Sequence, residues 1–196
     1  SFKTASLGTS GRAESEMVRA TSLRILAILL ASSLILFGGT DSAFCEFSEG
    51  NMHVQYGLQQ GVIQFRVILT GILPTYSTWN AIGFGRSMWS GIDVIMIRII
   101  NGRATISDEY VQGFQAPYAD SSNDVIVDQI SYADGMVILS FHRAAFNGDT
   151  RYDAQISGCQ SWKFAAGSNP LSPRGEVYHH RRTPTGRTVC IEQCRI

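Results

Sequence analysis

The sequence predicts an all-β protein in which two sheets pack face to face, and three observations support this fold class. Beyond residue 61, short runs rich in β-branched and aromatic residues alternate with clusters of turn residues. Within a run, apolar residues recur at every second position, as they do from Ile63 to Leu69. This is the period of a strand with one buried face. After residue 43 no convincing stripe follows the helical period of about 3.6 residues. Short strands with regular turn signals favour a β-sandwich of about 9–11 strands.

Two dipeptides mark tight hairpins in this succession of strands. Asn101-Gly102 separates one pair of apolar runs, and Asp134-Gly135 separates residues 125–132 from residues 136–143. Asn-Gly and Asp-Gly are favoured in two-residue hairpin turns because both central residues need a positive φ angle. The sequence therefore predicts that the strands flanking each dipeptide form a hairpin.

The stretch of residues 79–93 combines a strand, a glycine-rich bend and the start of a second strand. Its first part follows the strand period, with tryptophan, alanine and glycine on one face. Gly83 and Gly85 within this strand indicate a bend or the close approach of another group. Met88 follows where the backbone is expected to bend.

The same stretch carries a family resemblance. Trp79-Asn-Ala-Ile-Gly-Phe-Gly85, followed by Met88-Trp-Ser-Gly91-Ile-Asp93, resembles the DOMON domain, a family named after its occurrence in dopamine β-monooxygenase. Later segments resemble further parts of that family in the same order: residues 100–110, 113–124, 134–153, 162–167 and 180–190. Together the similarities span roughly residues 45–194. The resemblance implies an immunoglobulin-like β-sandwich of the DOMON type.

The N-terminal part is typical of a targeting segment. Basic residues within positions 18–24 precede an apolar run at positions 25–37, which two serines interrupt. A run of about 13 apolar residues fits a secretory signal peptide and falls short of the roughly 20 that a membrane span needs. Cleavage is expected after Ser42 or Ala43, and a signal anchor that stays attached is the alternative.

Met17 heads this segment, whereas residue 1 is a serine. We therefore interpret residues 1–16 as a non-native upstream segment and residues 17–43 as the signal peptide. Residues 44–196 are expected to form one secreted, extracellular domain of a size near the mode for single domains. No later apolar run is long enough to span a bilayer, so no membrane span is expected in the mature chain.

The predicted domain contains all four cysteines, Cys45, Cys159, Cys190 and Cys194. An even count in an oxidising compartment favours two disulfides, and three pairings are possible. Because Cys45 begins the domain and two cysteines end it, we expect a clasp between the termini, with Cys159 taking the remaining C-terminal cysteine. A metal site is the alternative, but no second closely spaced pair accompanies Cys190 and Cys194.

Charge and motifs argue against two classes of function. Lys+Arg and Asp+Glu both number 16, and the chain lacks the basic field that nucleic-acid binding needs. No hydrolase nucleophile motif or catalytic metal-binding motif occurs, so we expect no enzymatic activity. The numerous aspartates are interpreted as turn caps or ion-pair partners, with Arg143 pairing with Asp149 or Asp153.

The resemblance also implies a cofactor. Some DOMON-like domains bind a b-type haem between their two sheets, through a methionine of the glycine-rich turn and a late histidine. Carried onto this chain, the ligands of haem b would be Met88 and His180. Met/His ligation leaves no open iron position and suits electron transfer or haem sensing. His179 is adjacent, and on an extended chain the two rings point to opposite faces, so only one is expected to face the pocket. The expected apolar walls are Phe84, Trp89 and Trp162.

A second interpretation is an extracellular module that binds a carbohydrate or a protein without haem. The candidates for stacking on a sugar ring are Trp79, Trp89, Tyr118 and Trp162. The polar residues 120–124 would then supply hydrogen bonds. The plain structural alternative is that most of these aromatic residues belong to the core.

Overall fold

The computed structural model describes residues 44–73, 75–172 and 174–196. Within these residues the chain forms eleven strands and two short 3-10 helices, so the prediction of an all-β sandwich is confirmed. The predicted upstream segment and signal peptide, residues 1–43, lie outside the described residues.

The strands form two antiparallel sheets. The five-stranded sheet has the order β1-β2-β3-β9-β8, with β1 at Cys45–Glu49, β2 at Met52–Gln59, β3 at Val62–Leu69, β8 at Ile126–Ala133 and β9 at Met136–Ala144. The six-stranded sheet has the order β11-β10-β4-β5-β6-β7, with β4 at Thr78–Phe84, β5 at Ile92–Ile100, β6 at Arg103–Val111, β7 at Tyr118–Ala119, β10 at Cys159–Pro170 and β11 at Thr185–Cys190. The 3-10 helices span Met88–Ser90 and Ile191–Gln193.

Both predicted hairpins are present. Asn101 and Gly102 join β5 to β6 with φ angles of 49° and 74°, and Asp134 and Gly135 join β8 to β9 with 49° and 73°. All four residues thus have the positive φ for which Asn-Gly and Asp-Gly are favoured in such turns.

Aromatic side chains fill the space between the sheets. Phe65 of the five-stranded sheet lies 6.0 Å from Trp162 and 6.4 Å from Phe84, both on the six-stranded sheet, between ring centroids. Trp162 and Phe84 meet edge to face at 4.9 Å. This cluster is the main core, and burial of such side chains supplies the largest favourable contribution to folding.

The six-stranded sheet is also buried on its outer face. Every residue of β4 is buried, although alternate side chains of a strand point to opposite faces. Ile82 and Phe84 point into the main core, whereas Trp79 and Ala81 belong to a second apolar cluster. Loops and the C-terminal segment must therefore cover this outer face, and they create the site described below.

Two disulfides fix the end of the chain, in one of the two arrangements expected for a clasp between termini. Cys45 is bonded to Cys194, and Cys159 is bonded to Cys190 across the β10–β11 pair. Bonds of this kind persist in oxidising compartments. Among the described residues, no helix is long and apolar enough to cross a membrane.

Gly91 provides a test of the bend after β4. Its φ is +86°, and a β-carbon there would overlap the hydroxyl group of Tyr110. We expect Gly91→Ala to lower the free energy of unfolding by about 2–4 kcal/mol, measured by chemical denaturation.

Gly61→Ala is the matched control. Gly61 has a similar φ of +80°, but no atom lies within 4 Å of the added carbon. Gly61→Ala should lower the free energy of unfolding by about 1 kcal/mol, the effect of placing a β-carbon on a residue with positive φ. Equal losses in the two variants would show that the Tyr110 contact has no energetic importance.

Candidate functional site

A large cavity lies on the outer face of the six-stranded sheet. Its volume is about 640 Å³, which falls within the range of small-molecule and cofactor sites. The lining is mainly apolar, as is usual for such sites. Residues of β4, β5, β6 and β10 form the floor, and three irregular segments form the walls.

Small residues make room for this cavity. Ala81 and Gly83 on β4 and Ala165 on β10 lie on the floor, beside larger apolar residues of β5. Ala165 pairs with Ala81 in the register of the two strands, so the smallest side chains are adjacent. The outward face of β4 therefore leaves an open volume over the centre of the sheet, where larger side chains would have filled it.

The glycine-rich bend after β4 places Met88 at the cavity. The Met88 carbonyl accepts hydrogen bonds from the backbone amides of Gly113, at 2.6 Å, and Gly91, at 3.3 Å. The side chain of Met88 is half-buried and packs against the outer apolar cluster. The predicted bend is thus present, and it holds the methionine in the cavity wall.

Residues 177–184 form another wall. The indole nitrogen of Trp79 donates a hydrogen bond to the carbonyl of Tyr178 at 3.1 Å. The amide of Arg181 donates one to the Asn169 side chain at 2.9 Å. These two bonds attach an irregular segment to the sheet on either side of His179 and His180.

Both histidines are among the residues that line the cavity, whereas alternation along an extended strand would bring only one of them there. Their ring centroids are 4.2 Å apart. The alternation rule applies to extended strands, and this segment lies between β10 and β11 without strand geometry.

The two imidazoles differ in environment. The Nδ1 atom of His179 lies 2.9 Å from the carbonyl oxygen of His180, which can only accept, so this nitrogen is the donor. The Nδ1 atom of His180 is buried and has no hydrogen-bond partner. Burial, together with the neighbouring His179, lowers the pKa of His180. His180 therefore stays neutral to lower pH than an exposed histidine, and neutral imidazole is the form that binds metals.

The predicted apolar walls are only partly correct. Trp89 lines the cavity and is 71% exposed. Phe84 and Trp162 lie between the two sheets, in the main core, and do not reach the cavity. The expectation of a pocket between the sheets is therefore wrong for this chain, because that space is filled by aromatic side chains. For the same reason, Trp162 is unable to stack on a sugar, whereas Trp79 lies on the cavity floor.

Three side chains of the cavity were not predicted from the sequence. Arg86 and Lys163 bring positive charge to a mainly apolar lining. Phe114 meets Trp89 edge to face at 4.8 Å and is 70% exposed. Lys163 alternates with Trp162 and Phe164 of the core, so the strand period was the signal that placed it on the outer face.

Comparison with known proteins decides the family. The family model described as DOMON domain matches residues 48–168, which is more than half of the chain. The chain belongs to the DOMON domain family. This match confirms the resemblance seen in the sequence. A search of curated protein sequences found no match.

Solved structures support the fold of this DOMON domain. It is similar to the cytochrome b domain of pyranose dehydrogenase from Coprinopsis cinerea, with a TM-score of 0.58 and 15% identity, over 78% of this chain and 84% of that one. It is also similar to the cytochrome domain of cellobiose dehydrogenase from Myriococcum thermophilum, with a TM-score of 0.52 and 13% identity, over 79% of this chain and 86% of that one. At these identities the similarity establishes the fold alone.

The DOMON domain has a second polar centre, around a buried arginine of β9. Arg143 is 1% exposed. Its guanidinium donates to both oxygens of Asp93, at 3.1 and 2.8 Å, and to Asp153 at 3.1 Å. The predicted pair with Asp153 is therefore present, whereas the alternative pair with Asp149 is absent from the ion pairs found in the described residues. Asp93, on β5, was not foreseen as a partner because only the fold brings it near.

Burial dominates the titration of this centre. It raises the pKa of Asp93 to about 6 and that of Asp108 to about 7, although Arg143 acts in the opposite direction. For Arg143, burial alone would lower the pKa, but the carboxylates of Asp93, Asp108 and Asp153 outweigh it and raise the pKa.

Removal of the arginine tests the importance of this centre. Arg143→Met would leave Asp93 and Asp153 buried without their cation. We expect the free energy of unfolding at neutral pH to fall by about 3–5 kcal/mol. Arg66→Met is the control, because Arg66 is exposed and, within the described residues, its side chain bonds to Gln55 alone. This substitution should lower the free energy of unfolding by less than about 0.5 kcal/mol. A similar small cost for both variants would contradict a structural role for the buried pairs.

The raised pKa values predict the direction of a pH dependence. In the unfolded chain the carboxyl groups of Asp93 and Asp108 titrate near 3.8, whereas in the folded domain they titrate near 6 and 7. The folded domain therefore binds more protons in this range, and its stability decreases as the pH rises. We expect a loss on the order of 1–3 kcal/mol between about pH 5 and about pH 8, measured by denaturation in the presence of a chelator.

Asp108→Asn should flatten this dependence, since it removes the group with the larger shift. Asp134→Asn, at the exposed turn between β8 and β9, should leave the dependence unchanged. A wild-type domain that becomes more stable toward alkaline pH would show that the two carboxyl groups titrate normally.

Proposed function

We propose that this DOMON domain binds a b-type haem in the outer-face cavity, with Met88 and His180 as the axial ligands. The observation that carries the proposal is that both side chains line one cavity, although they are distant in sequence. Burial lowers the pKa of His180 and so favours the neutral imidazole, which is the form that binds metals. The similarity of this fold to a cytochrome b domain and to another cytochrome domain adds support.

The residues around the cavity suit an anionic, largely apolar cofactor. The floor of alanine, glycine and aliphatic side chains would exclude water from one face of a flat macrocycle. Arg86 and Lys163 would pair with its carboxylate groups. A haem held by methionine and histidine supplies one-electron chemistry without an open iron position.

The role that follows from this site is electron transfer or haem sensing, without catalysis by the domain itself. Two disulfides and membership of the DOMON family fit action in an extracellular, oxidising environment. We therefore propose a secreted module for electron transfer or haem sensing.

A second candidate function is carbohydrate binding at the same cavity. The exposed edge-to-face pair of Trp89 and Phe114 favours it, because exposed aromatic faces at a cavity are suited to stacking on sugar rings. In this case neither Met88 nor His180 has a ligand role.

The absorption spectrum of the domain, secreted from cells supplied with haem, tests the first proposal. We expect a sharp Soret band and narrow α and β bands on reduction, as in six-coordinate low-spin haem. A folded, colourless domain that also fails to take up added haemin would exclude haem binding and leave the carbohydrate candidate.

Substitution of the ligands tests their identity. Met88→Leu nearly conserves volume, so we expect the fold to persist and the spectrum of bound haem to change. Met96→Leu is the matched control, because Met96 lines the same cavity from β5 and is not a proposed ligand. A spectrum that is unaltered in Met88→Leu would exclude Met88.

His180→Ala and His179→Ala form the second matched pair. Only His180→Ala should convert the haem to a five-coordinate or high-spin spectrum. The reverse result would assign the ligand to His179, whose donor role at Nδ1 leaves Nε2 available for coordination.

A further inference from the structure

Aspartates from two strands and two loops converge at the second polar centre. They are Asp93 on β5, Asp108 on β6, Asp120 and Asp124 after β7, and Asp149 and Asp153 after β9. Two overlapping triads have carboxylate oxygens within 4.8 Å of one another. One contains Asp93, Asp108 and Asp153, and the other contains Asp120, Asp149 and Asp153.

Among the described residues, Arg143 alone forms ion pairs with the carboxylates of this centre. Arg143 bonds to Asp93 and Asp153, and it bonds to neither Asp120 nor Asp149. The amide of Asn147 contacts the carboxylates of Asp124 and Asp153, but it is neutral. Several carboxylates therefore remain within a few ångströms of one another with a single buried guanidinium among them, which is a repulsive arrangement in a low-dielectric environment.

Asp108 gives the independent indication of a missing ligand. It is 3% exposed, and its Oδ1 atom has no hydrogen-bond partner in the part of the chain that the structure describes. Its other oxygen accepts one hydrogen bond, from the amide of Asp124 at 3.3 Å. Buried polar atoms in native proteins nearly always have a partner, which is often water or an ion. The unpartnered carboxylate belongs to the triad that shares Asp153 with the loop aspartates.

The donor set defines the kind of ligand. All the available donors are carboxylate oxygens, which hard cations prefer over nitrogen or sulfur ligands. Calcium takes six to eight oxygens at about 2.3–2.6 Å, so any two of its ligands are at most about 5 Å apart. The separations in both triads, 4.8 Å or less, meet this limit. Magnesium demands a more regular octahedron, which loop carboxylates of mixed burial supply less readily.

We propose that this centre binds a calcium ion. Asp120 and Asp149 bind the ion from the loops together with Asp153, the residue that both triads share, and Asp108 lies beside Asp153 on the buried side. The ion stabilises the loops after β7 and β9 against the end of the sandwich. No cluster residue lines the outer-face cavity, so this proposal is independent of haem binding.

Calorimetric titration of the chelator-treated full domain with calcium chloride tests the proposal. We expect one site with a dissociation constant of about 1 mM or below, the range of extracellular calcium modules. Ten millimolar calcium should raise the thermal midpoint by several degrees. Sodium chloride at matched ionic strength should raise it much less, and magnesium should be weaker than calcium. Absence of both heat and calcium-specific stabilisation in the folded domain would overturn the proposal.

Single substitutions locate the ion. Asp120→Asn and Asp149→Asn remove charge from half-buried loop positions and should weaken calcium binding at least tenfold, with the fold retained in far-UV circular dichroism. Asp134→Asn removes one charge outside the cluster and should bind calcium as the wild type does. Equal affinity in all three variants would show that calcium binds elsewhere and refute this site. Because Met88→Leu leaves the cluster intact, it should bind calcium normally whatever its effect on haem.

Discussion

Strands alternate their side chains between two faces, and in the six-stranded sheet both of these faces are apolar. The inner face is satisfied by the aromatic core, with Phe84 and Trp162 at its centre. No second sheet of the described residues covers the outer face, which is partly covered instead by the bend at Met88 and the segment 177–184. Because these covers are irregular and the floor residues are small, the cover is incomplete, and the cavity is what remains.

The outer-face cavity and the polar centre around Arg143 lie in different regions of the domain and differ in their chemistry. The cavity combines apolar packing with a few donors, among them a neutral His180, and so suits a large apolar ligand with anionic groups. The centre around Arg143 is dominated by charge, and burial works against its carboxylates. Such a centre suits a small, positively charged ligand.

The sequence was sufficient for the fold because the strand period and the Asn-Gly and Asp-Gly turns are local signals. It also indicated the clasp between termini, and the family resemblance indicated Met88 and His180. The location of the cavity could not be predicted from the sequence. Alternation shows that Phe84 and Trp79 lie on opposite faces of the sheet, but it does not show which face packs against the other sheet. Asp93 was missed as a partner of Arg143 for a related reason, since 50 residues separate them in the chain.

The disulfide between Cys159 and Cys190 encloses the histidine-bearing segment in a covalent ring, with a sequence separation of 31 residues. Ordering a flexible wall around a ligand costs conformational entropy, and closure of the ring removes part of that cost before any ligand arrives. Formation of this disulfide therefore restricts the cavity wall before a ligand binds. In a domain with Cys159 and Cys190 reduced, the same wall segment would be less restricted. Ordering it on ligand binding would cost more conformational entropy and so weaken the affinity for the ligand.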